Sequence, residues 1–229
     1  MSIDTPLPSD HEQRRTERGR CIGILQTHFA NPDTFNGSVR LAHPFLQMAT
    51  EPLPPQHVMI HNYRHFTVQV QLVGHAFNGS YWLQLLCKEK VIGSFAVLTR
   101  GEGTHCAACV ARHEAGGKVR GIIDIPEDII HPILEDIVQK NLNAETDSLI
   151  RSVKKCFSAR IVGPSDVLLA EAVEPKHRVP LESSIVPELV LLSAAAARPD
   201  GRLGDGPIQL FDWKNHGDFL SNVVKWTSI

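Results

Sequence analysis

The feature that most constrains the fold is a strict alternation of apolar and polar residues from Phe66 to Leu72, Phe-Thr-Val-Gln-Val-Gln-Leu. Successive side chains of a β-strand point to opposite faces of a sheet, so this alternation predicts a half-buried strand. Similar apolar patterns predict further strands over residues 80–87, 91–99, 119–125, 156–162 and 167–173. The chain is therefore expected to fold mainly from short strands.

The connections between the first strands favour antiparallel pairing. Asn78-Gly79 and Lys88-Glu89-Lys90 are turn sequences, and parallel strands would need longer crossover connections. We therefore expect a meander of consecutive strands. Isoleucines at four-residue spacing from Ile129 predict one main helix near residues 126–142, and Pro132 places His131 near its entrance. The predicted fold class is mainly β, an antiparallel β-sandwich with one main helix.

The domain organisation is predicted from local composition. Residues 1–19 are polar, charged and proline-containing, which is typical of a disordered tail, and residues 20–229 are predicted to form a single β-sandwich domain. Residues 185–197 contain Pro187 and four consecutive alanines, and their secondary structure is ambiguous. Residues 211–226 carry two of the three tryptophans and are expected to dock on the core.

The charge balance excludes several classes of partner. The 229 residues include 23 Lys+Arg and 25 Asp+Glu, a net charge of -2, so we expect binding to neither nucleic acid nor an anionic membrane.

No run of about 18 apolar residues is present, and the N-terminus lacks a basic segment followed by an apolar one. A cytoplasmic, reducing location is the expectation, and the sequence allows a homodimer.

The richest concentration of metal-ligating groups lies in one loop. Cys106 and Cys109 form a Cys-Ala-Ala-Cys step, with His105, His113 and Glu114 close by. Zinc usually takes four ligands from thiolate, imidazole or carboxylate groups, and no second cysteine pair completes a structural zinc signature. Three interpretations stay open: a metal site, a redox dithiol, and a disulfide or inert thiol pair.

The metal interpretation gives a specific ligand set. Cys106, Cys109 and His113 are the predicted ligands, and His131 or His105 completes the coordination. Three protein ligands and a water would leave an open catalytic position, whereas four protein ligands would make a structural site. The candidate catalytic residues are His113, Glu114 and His131. The expected cofactor is Zn²⁺, with copper as the alternative.

The remaining cysteines and a second group of histidines are less specific. Cys21, Cys87 and Cys156 are isolated in sequence, and the last two lie in apolar surroundings typical of small buried hydrophobes. His57, His61 and His65 have four-residue spacing. The alternation that begins at Phe66 indicates that part of this run is not helical, so a polar approach to a strand and a metal site are equally open.

Several segments together resemble a known domain. They are residues 81–86, residues 91–97, the step from Cys106 to Cys109, and residues 119–125. Over residues 60–175 the chain resembles the C-terminal domain of fungal tyrosinases. The resemblance implies a β-sandwich that shields a copper site and a Cys-x-x-Cys step associated with handling copper. The six helix-borne histidines of a dicopper centre are missing, so phenol oxidation is not expected.

A free-standing chain of this size is similar to the hemocyanin-like and tyrosinase-like cyclopenase family. That resemblance implies a zinc-dependent, non-redox lyase that contracts a benzodiazepinedione epoxide (cyclopenin) to a quinolone (viridicatin) in fungal secondary metabolism. The expected partner is then a small aromatic alkaloid substrate. The alternative function is a non-catalytic metal-binding or shielding partner of a tyrosinase-like copper protein. A third interpretation is a structural sandwich whose thiols are incidental.

Overall fold

A computed structural model describes residues 49–99, 116–140, 145–174, 178–200, 207–220 and 224–228, together with positions 107 and 111. Within these ranges the chain forms nine strands and two α-helices, with a short 3₁₀ helix at Pro164–Asp166. In chain order they are β1 (His57–Val73), β2 (Tyr81–Cys87), β3 (Lys90–Val97), β4 (Lys118–Asp124), α1 (Glu127–Lys140), α2 (Thr146–Lys154), β5 (Phe157–Val162), β6 (Leu168–Val173), β7 (Glu188–Pro199), β8 (Gln209–Asp218) and β9 (Lys225–Ser228). The predicted tail, residues 1–19, lies outside the described residues.

The strands form two antiparallel sheets, which confirms the predicted mainly β fold. One sheet has the order β4-β1-β7-β8 and the other the order β3-β2-β5-β6-β9. The expected meander is wrong at two connections, because β1 pairs with β4 and β7 instead of β2, and because β3 and β4 lie in different sheets. Both β1 and β2 carry an apolar face, and each buries that face against the opposite sheet. The connection between them therefore crosses from one sheet to the other.

The core lies between the two sheets, as the alternation predicts. The inward residues Phe66, Val68 and Val70 of β1 are fully buried, and so are Leu83 and Leu85 of β2. The register keeps these faces aligned: Val68 lies opposite Ile123 of β4 on one side and Leu191 of β7 on the other. A slip of one residue would turn the apolar face of β1 outward, so burial fixes the pairing.

Two glycines allow the edge strands β3 and β4 to pack closely across the sandwich. A Cβ atom at Gly93 would lie 2.3 Å from Cγ2 of Ile123, and a Cβ atom at Gly121 would lie 2.1 Å from the ring of Phe95. Side chains of the opposite edge strand therefore fill the space that a larger residue at either glycine would need. These contacts close one side of the core.

The two helices cover part of the same core. Helix α1 occupies the predicted region, with Ile130 and Leu134 buried, and it includes Pro132. Helix α2 was not predicted because it is only nine residues long, although Leu149 and Val153 form a buried stripe one turn apart. The ambiguous alanine-rich segment is a strand, β7, since pairing with both neighbours outweighs the weak strand preference of alanine. Neither described helix is long and apolar enough to cross a membrane.

Candidate functional site

The loop that carries most of the predicted site residues lies between Thr99 and Gly116, the described residues on either side of it. Cys106, Cys109, His113 and Glu114, and also His105, lie outside the described residues, so their roles stay predictions. The N-terminal end of the loop is held at Thr99, whose backbone N–H donates to Ser80 Oγ while Ser80 Oγ donates to the Thr99 carbonyl, both at 3.1 Å.

The C-terminal end of the loop is held nearby. Gly74 N–H donates to the Gly117 carbonyl at 2.8 Å. Gly74 follows β1 and Ser80 precedes β2, and the Tyr81 hydroxyl donates to the Val73 carbonyl at 2.5 Å. Both ends of the loop are thus tied to the short connection between β1 and β2, at one end of the sandwich.

His131 is the predicted site residue that the structure describes. It lies in the second turn of α1, is half-buried, and packs its ring edge-on against Tyr63 with a centroid distance of 6.0 Å. Burial lowers the pKa of His131, and the opposing effect of Glu127 and Glu135 is smaller. The imidazole is therefore neutral near pH 7 and can accept a proton.

The position of His131 relative to the loop follows from strand β4. Lys118 begins β4 next to the anchored end of the loop, and Asp124 ends it close to α1. Seven strand residues span about 20 Å, so the anchored end and His131 lie toward opposite ends of β4. The described residues do not bring His131 to the ends of the loop, and its role as a ligand stays a prediction.

The second group of histidines lies on a strand. His57, His61 and His65 all belong to β1, so four-residue spacing does not bring them together as it would on a helical turn. His57 Nδ1 is 2.8 Å from the Pro55 carbonyl, and His65 Nε2 is 3.1 Å from Asp124 Oδ1. Among the described residues, no group of three or more His, Cys, Asp or Glu side chains could hold a metal ion.

The described residues assemble a buried polar cluster that the sequence did not predict. Its members are Arg64 of β1, Ser193 of β7, and Asp212 and His216 of β8. The Arg64 and Asp212 side chains are 1% and 2% exposed, and Nη1 and Nη2 of Arg64 both lie 3.3 Å from Asp212 Oδ2. Arg64 Nη2 also donates to the Asp212 carbonyl at 2.9 Å, and Arg64 Nε donates to Ser193 Oγ at 2.9 Å.

Irregularities in β8 place the acidic member of this cluster. The register of β7 and β8 shifts between Ser193 and Ala195, and Asp212 adopts a φ of 51° there. A bulge of this kind redirects a side chain within a sheet. Burial alone would raise the pKa of Asp212, but hydrogen bonds from the Thr50 hydroxyl and backbone N–H, together with Lys214 and Arg64, lower it overall. The carboxylate is therefore charged when it contacts Arg64.

The other end of the cluster is a serine–histidine contact. Ser193 Oγ lies 2.7 Å from His216 Nε2. Burial, which is the largest cause, and the nearby charges of Arg64, Lys154 and Lys214 together lower the pKa of His216 to about 4. The imidazole is neutral at pH 7. Its Nε2 can accept a hydrogen bond from the Ser193 hydroxyl, while Ser193 Oγ accepts a hydrogen bond from Arg64 Nε. Because Ser193 is fully buried, a substrate cannot reach its Oγ atom, and the contact acts as a structural link.

Part of this chain is similar in structure to mushroom tyrosinase. No protein-family model matches the chain, and no curated protein matches it. Two structures of mushroom tyrosinase, one of coexisting latent and active forms and one of recombinant enzyme, align with TM-scores of 0.34 and 0.35 at 18% and 17% identity. The alignments cover 65% and 69% of this chain but only 25% and 26% of the tyrosinase chains. A similarity of this size establishes neither a common family nor a common function.

One signal in the sequence could have revealed the buried cluster. Arg64 lies two and four residues before Phe66 and Val68. Residues at this spacing share one face of a strand, so the alternation places the Arg64 side chain on the inward face of β1. A buried guanidinium requires an acidic partner, since an unpaired charge in the core is very costly. The identity of that partner, Asp212, could not be predicted, because it depends on a bulge 148 residues later in the chain.

Proposed function

We propose that this chain is a zinc-dependent, cyclopenase-like lyase that contracts a benzodiazepinedione epoxide to a quinolone and expels a small nitrogen-containing fragment, without redox change. Cys106, Cys109 and His113 are the proposed zinc ligands. The observation that supports the proposal is the fixation of both ends of their loop on the connection between β1 and β2. A site anchored on rigid strands at both ends holds its ligands with less freedom than an unattached loop.

The residues present fit zinc in their chemistry, since two thiols and an imidazole within eight positions are typical zinc ligands. The described residues add no complete metal site of their own, so the proposal rests on the loop. Bound zinc would supply a Lewis acid next to an oxygen that gains negative charge. Glu114 is the proposed carrier of the aryl proton whose loss restores aromaticity, because a His113 imidazole that binds zinc has no lone pair left to accept a proton.

His131 is the residue whose part in this reaction needs a separate test. Its neutral imidazole and its contact with the Tyr63 ring suit an aromatic substrate, but it lies toward the opposite end of β4 from the anchored loop. If the loop reaches His131, His131→Gln lowers both zinc content and turnover. If His131 acts only as a base, turnover falls and zinc content is unchanged.

The decisive experiment combines metal analysis with turnover of cyclopenin. We expect about one zinc per chain, loss of zinc and of viridicatin formation in Cys106→Ser, and recovery of chelated wild-type protein on adding zinc. Cys156→Ser is the matched control, because Cys156 lies next to β5 and outside the loop. Full turnover by metal-free protein would remove zinc from the proposal. Zinc-loaded protein that never converts cyclopenin would remove the lyase activity.

A second candidate is the non-catalytic metal-binding or shielding partner of a tyrosinase-like copper protein. The burial of Arg64, Ser193 and Asp212 supports it, because these polar side chains of the described residues contact one another and are closed to solvent. On this hypothesis the chain suppresses catechol oxidation when mixed with an active tyrosinase in equal amounts. Unchanged oxygen uptake at saturating concentrations of the chain would contradict the hypothesis.

A further inference from the structure

Strand β4 forms one edge of the first sheet. In the sheet order β4-β1-β7-β8, β4 has β1 on one side, and among the described residues no strand pairs with its other side. Backbone N–H and C=O groups along such an edge can hydrogen-bond to a further strand. The open side of β4 is therefore a surface on which another chain could add a strand.

The hydrogen bonds to β1 show which residues of β4 present their backbone groups to the open side. Ile125 N–H donates to the Phe66 carbonyl at 3.0 Å, and Gly74 N–H donates to the Gly117 carbonyl at 2.8 Å. In an antiparallel ladder every second residue bonds to the neighbouring strand, so the odd-numbered residues of β4 bond to β1. The even-numbered residues, whose backbone groups point to the open side, are Lys118, Arg120, Ile122 and Asp124.

The side chains of these four residues make β4 complementary in charge to a second copy of itself. All four are exposed. Basic Lys118 and Arg120 lie at the start of the strand, and acidic Asp124 lies at its end. Antiparallel pairing of two copies about Gly121 places each Lys118 opposite Asp124 of the other copy. It also places each Arg120 opposite Ile122, which is 64% exposed in the single chain.

We propose that β4 is a self-association surface, on which a second copy of this chain pairs edge to edge and antiparallel about a two-fold axis through Gly121. In this register the outward backbone groups of all four even-numbered residues meet partners, and the two four-stranded sheets become continuous. A register centred on Arg120 would place two like charges opposite each other, which is unfavourable. The contact is closed by its two-fold symmetry, so association stops at the dimer. This inference does not depend on the proposed zinc site.

The charged residues of this surface also have contacts within their own chain. Lys118 Nζ lies 2.7 Å from Glu188 Oε1, and Asp124 Oδ1 lies 3.1 Å from His65 Nε2. Lys118, Glu188 and Asp124 are exposed, and exposed ion pairs contribute little to stability. These contacts therefore leave both charges able to interact with a second copy.

Charge reversal tests the register by sedimentation equilibrium of the full chain. We expect the wild-type chain to reach twice its monomer mass at high micromolar concentration. Asp124→Lys places two lysines opposite each other at both ends of the contact, so the dissociation constant should rise roughly tenfold or more. Lys118→Asp should have the same effect, and the double variant Lys118→Asp/Asp124→Lys should regain the dimer.

Lys140→Asp is the matched control for these variants. Lys140 is another exposed lysine with an acidic partner, Asp136 at 2.6 Å, but it lies on α1. Its reversal should leave the dissociation constant unchanged. A wild-type chain that stays monomeric would overturn the proposal, and so would a double variant that dimerises no better than either single variant.

Amide hydrogen exchange of the wild-type chain gives an answer that needs no variant. The amides of Arg120 and Ile122 point to the open side, so their exchange should slow several-fold when the concentration is raised from monomer to dimer. The amides of Val119 and Ile123 bond to β1 and should exchange slowly in both states. A dimer in which Arg120 and Ile122 exchange as fast as in the monomer would show that the copies meet elsewhere.

Discussion

At the residue scale, Arg64 shows what the sequence predicts about a buried charge and what it does not. Its guanidinium is buried, and its acceptors are the carboxylate and carbonyl of Asp212 and the hydroxyl of Ser193. The sequence predicts that Arg64 faces inward but does not identify its acceptors, because they come from strands made much later. Residue type alone was enough to predict Cys106 and Cys109 as metal ligands, since a cysteine thiolate binds zinc directly whatever its neighbours in the fold.

Loss of the arginine should be much more costly than loss of a surface arginine. Arg64→Ala removes the buried guanidinium and leaves the Asp212 carboxylate with only Thr50 and the more distant Lys214, so we expect the free energy of unfolding to fall by about 3–5 kcal/mol. Arg120→Ala, which removes an exposed bond to Gln71, should cost less than about 1 kcal/mol. Urea unfolding of both variants checks this, and equal costs would contradict a structural role for the buried pair.

The neutral His216 predicts a pH dependence of stability. Its pKa in the folded chain, about 4, is below the ordinary value of 6.5, so the unfolded chain binds the proton more readily between these pH values. Stability should therefore fall as the pH drops from about 6.5 to 4, by an amount on the order of 2 kcal/mol. His216→Gln should flatten the curve in this window, and the exposed His61→Gln should leave it unchanged. A curve of the same slope in all three proteins would refute this assignment.

At the element scale, the strands were predictable and their partners were not. Alternation is a local property, so the bounds of β1 to β6 could be predicted to within about two residues in most cases. The start of β1 is the exception, because its histidines and Arg64 interrupt the alternation of apolar and polar residues. Pairing depends on which apolar faces meet across the core, and for β1 the partners are β4 and β7. Helix α2 was missed because nine residues give too short a periodic pattern.

The close packing of β3 on β4 predicts unequal costs for two glycine substitutions. Gly93→Ala would push against Ile123, which is buried and stiff at its branched Cβ, so we expect a loss of about 1–3 kcal/mol. Gly121→Ala would meet the half-buried ring of Phe95, which can turn outward, so its cost should be smaller. Thermal unfolding of both variants tests the order, and a larger loss for Gly121→Ala would contradict it.

At the scale of the whole molecule, the expectation that the chain does not oxidise phenols depends on where its histidines lie. The two described helices carry one histidine, His131, whereas a dicopper centre of the tyrosinase type needs six helix-borne histidines. We expect the copper-loaded protein to consume no oxygen with a catechol. An oxygen electrode trace, with active mushroom tyrosinase as the positive control, checks this. Sustained uptake by the purified chain would show that copper chemistry occurs outside the described residues.

The tie between Thr50 and Asp212 has a consequence for how the protein is made. The two residues are 162 positions apart, and Asp212 is also the partner of Arg64. On the ribosome β1 is complete long before β7 and β8 are synthesised, so one edge of β1 and its guanidinium stay hydrated while most of the chain emerges. Closure of the first sheet is therefore a late event that waits for the C-terminal fifth of the protein, and a fold dominated by such distant pairings forms slowly.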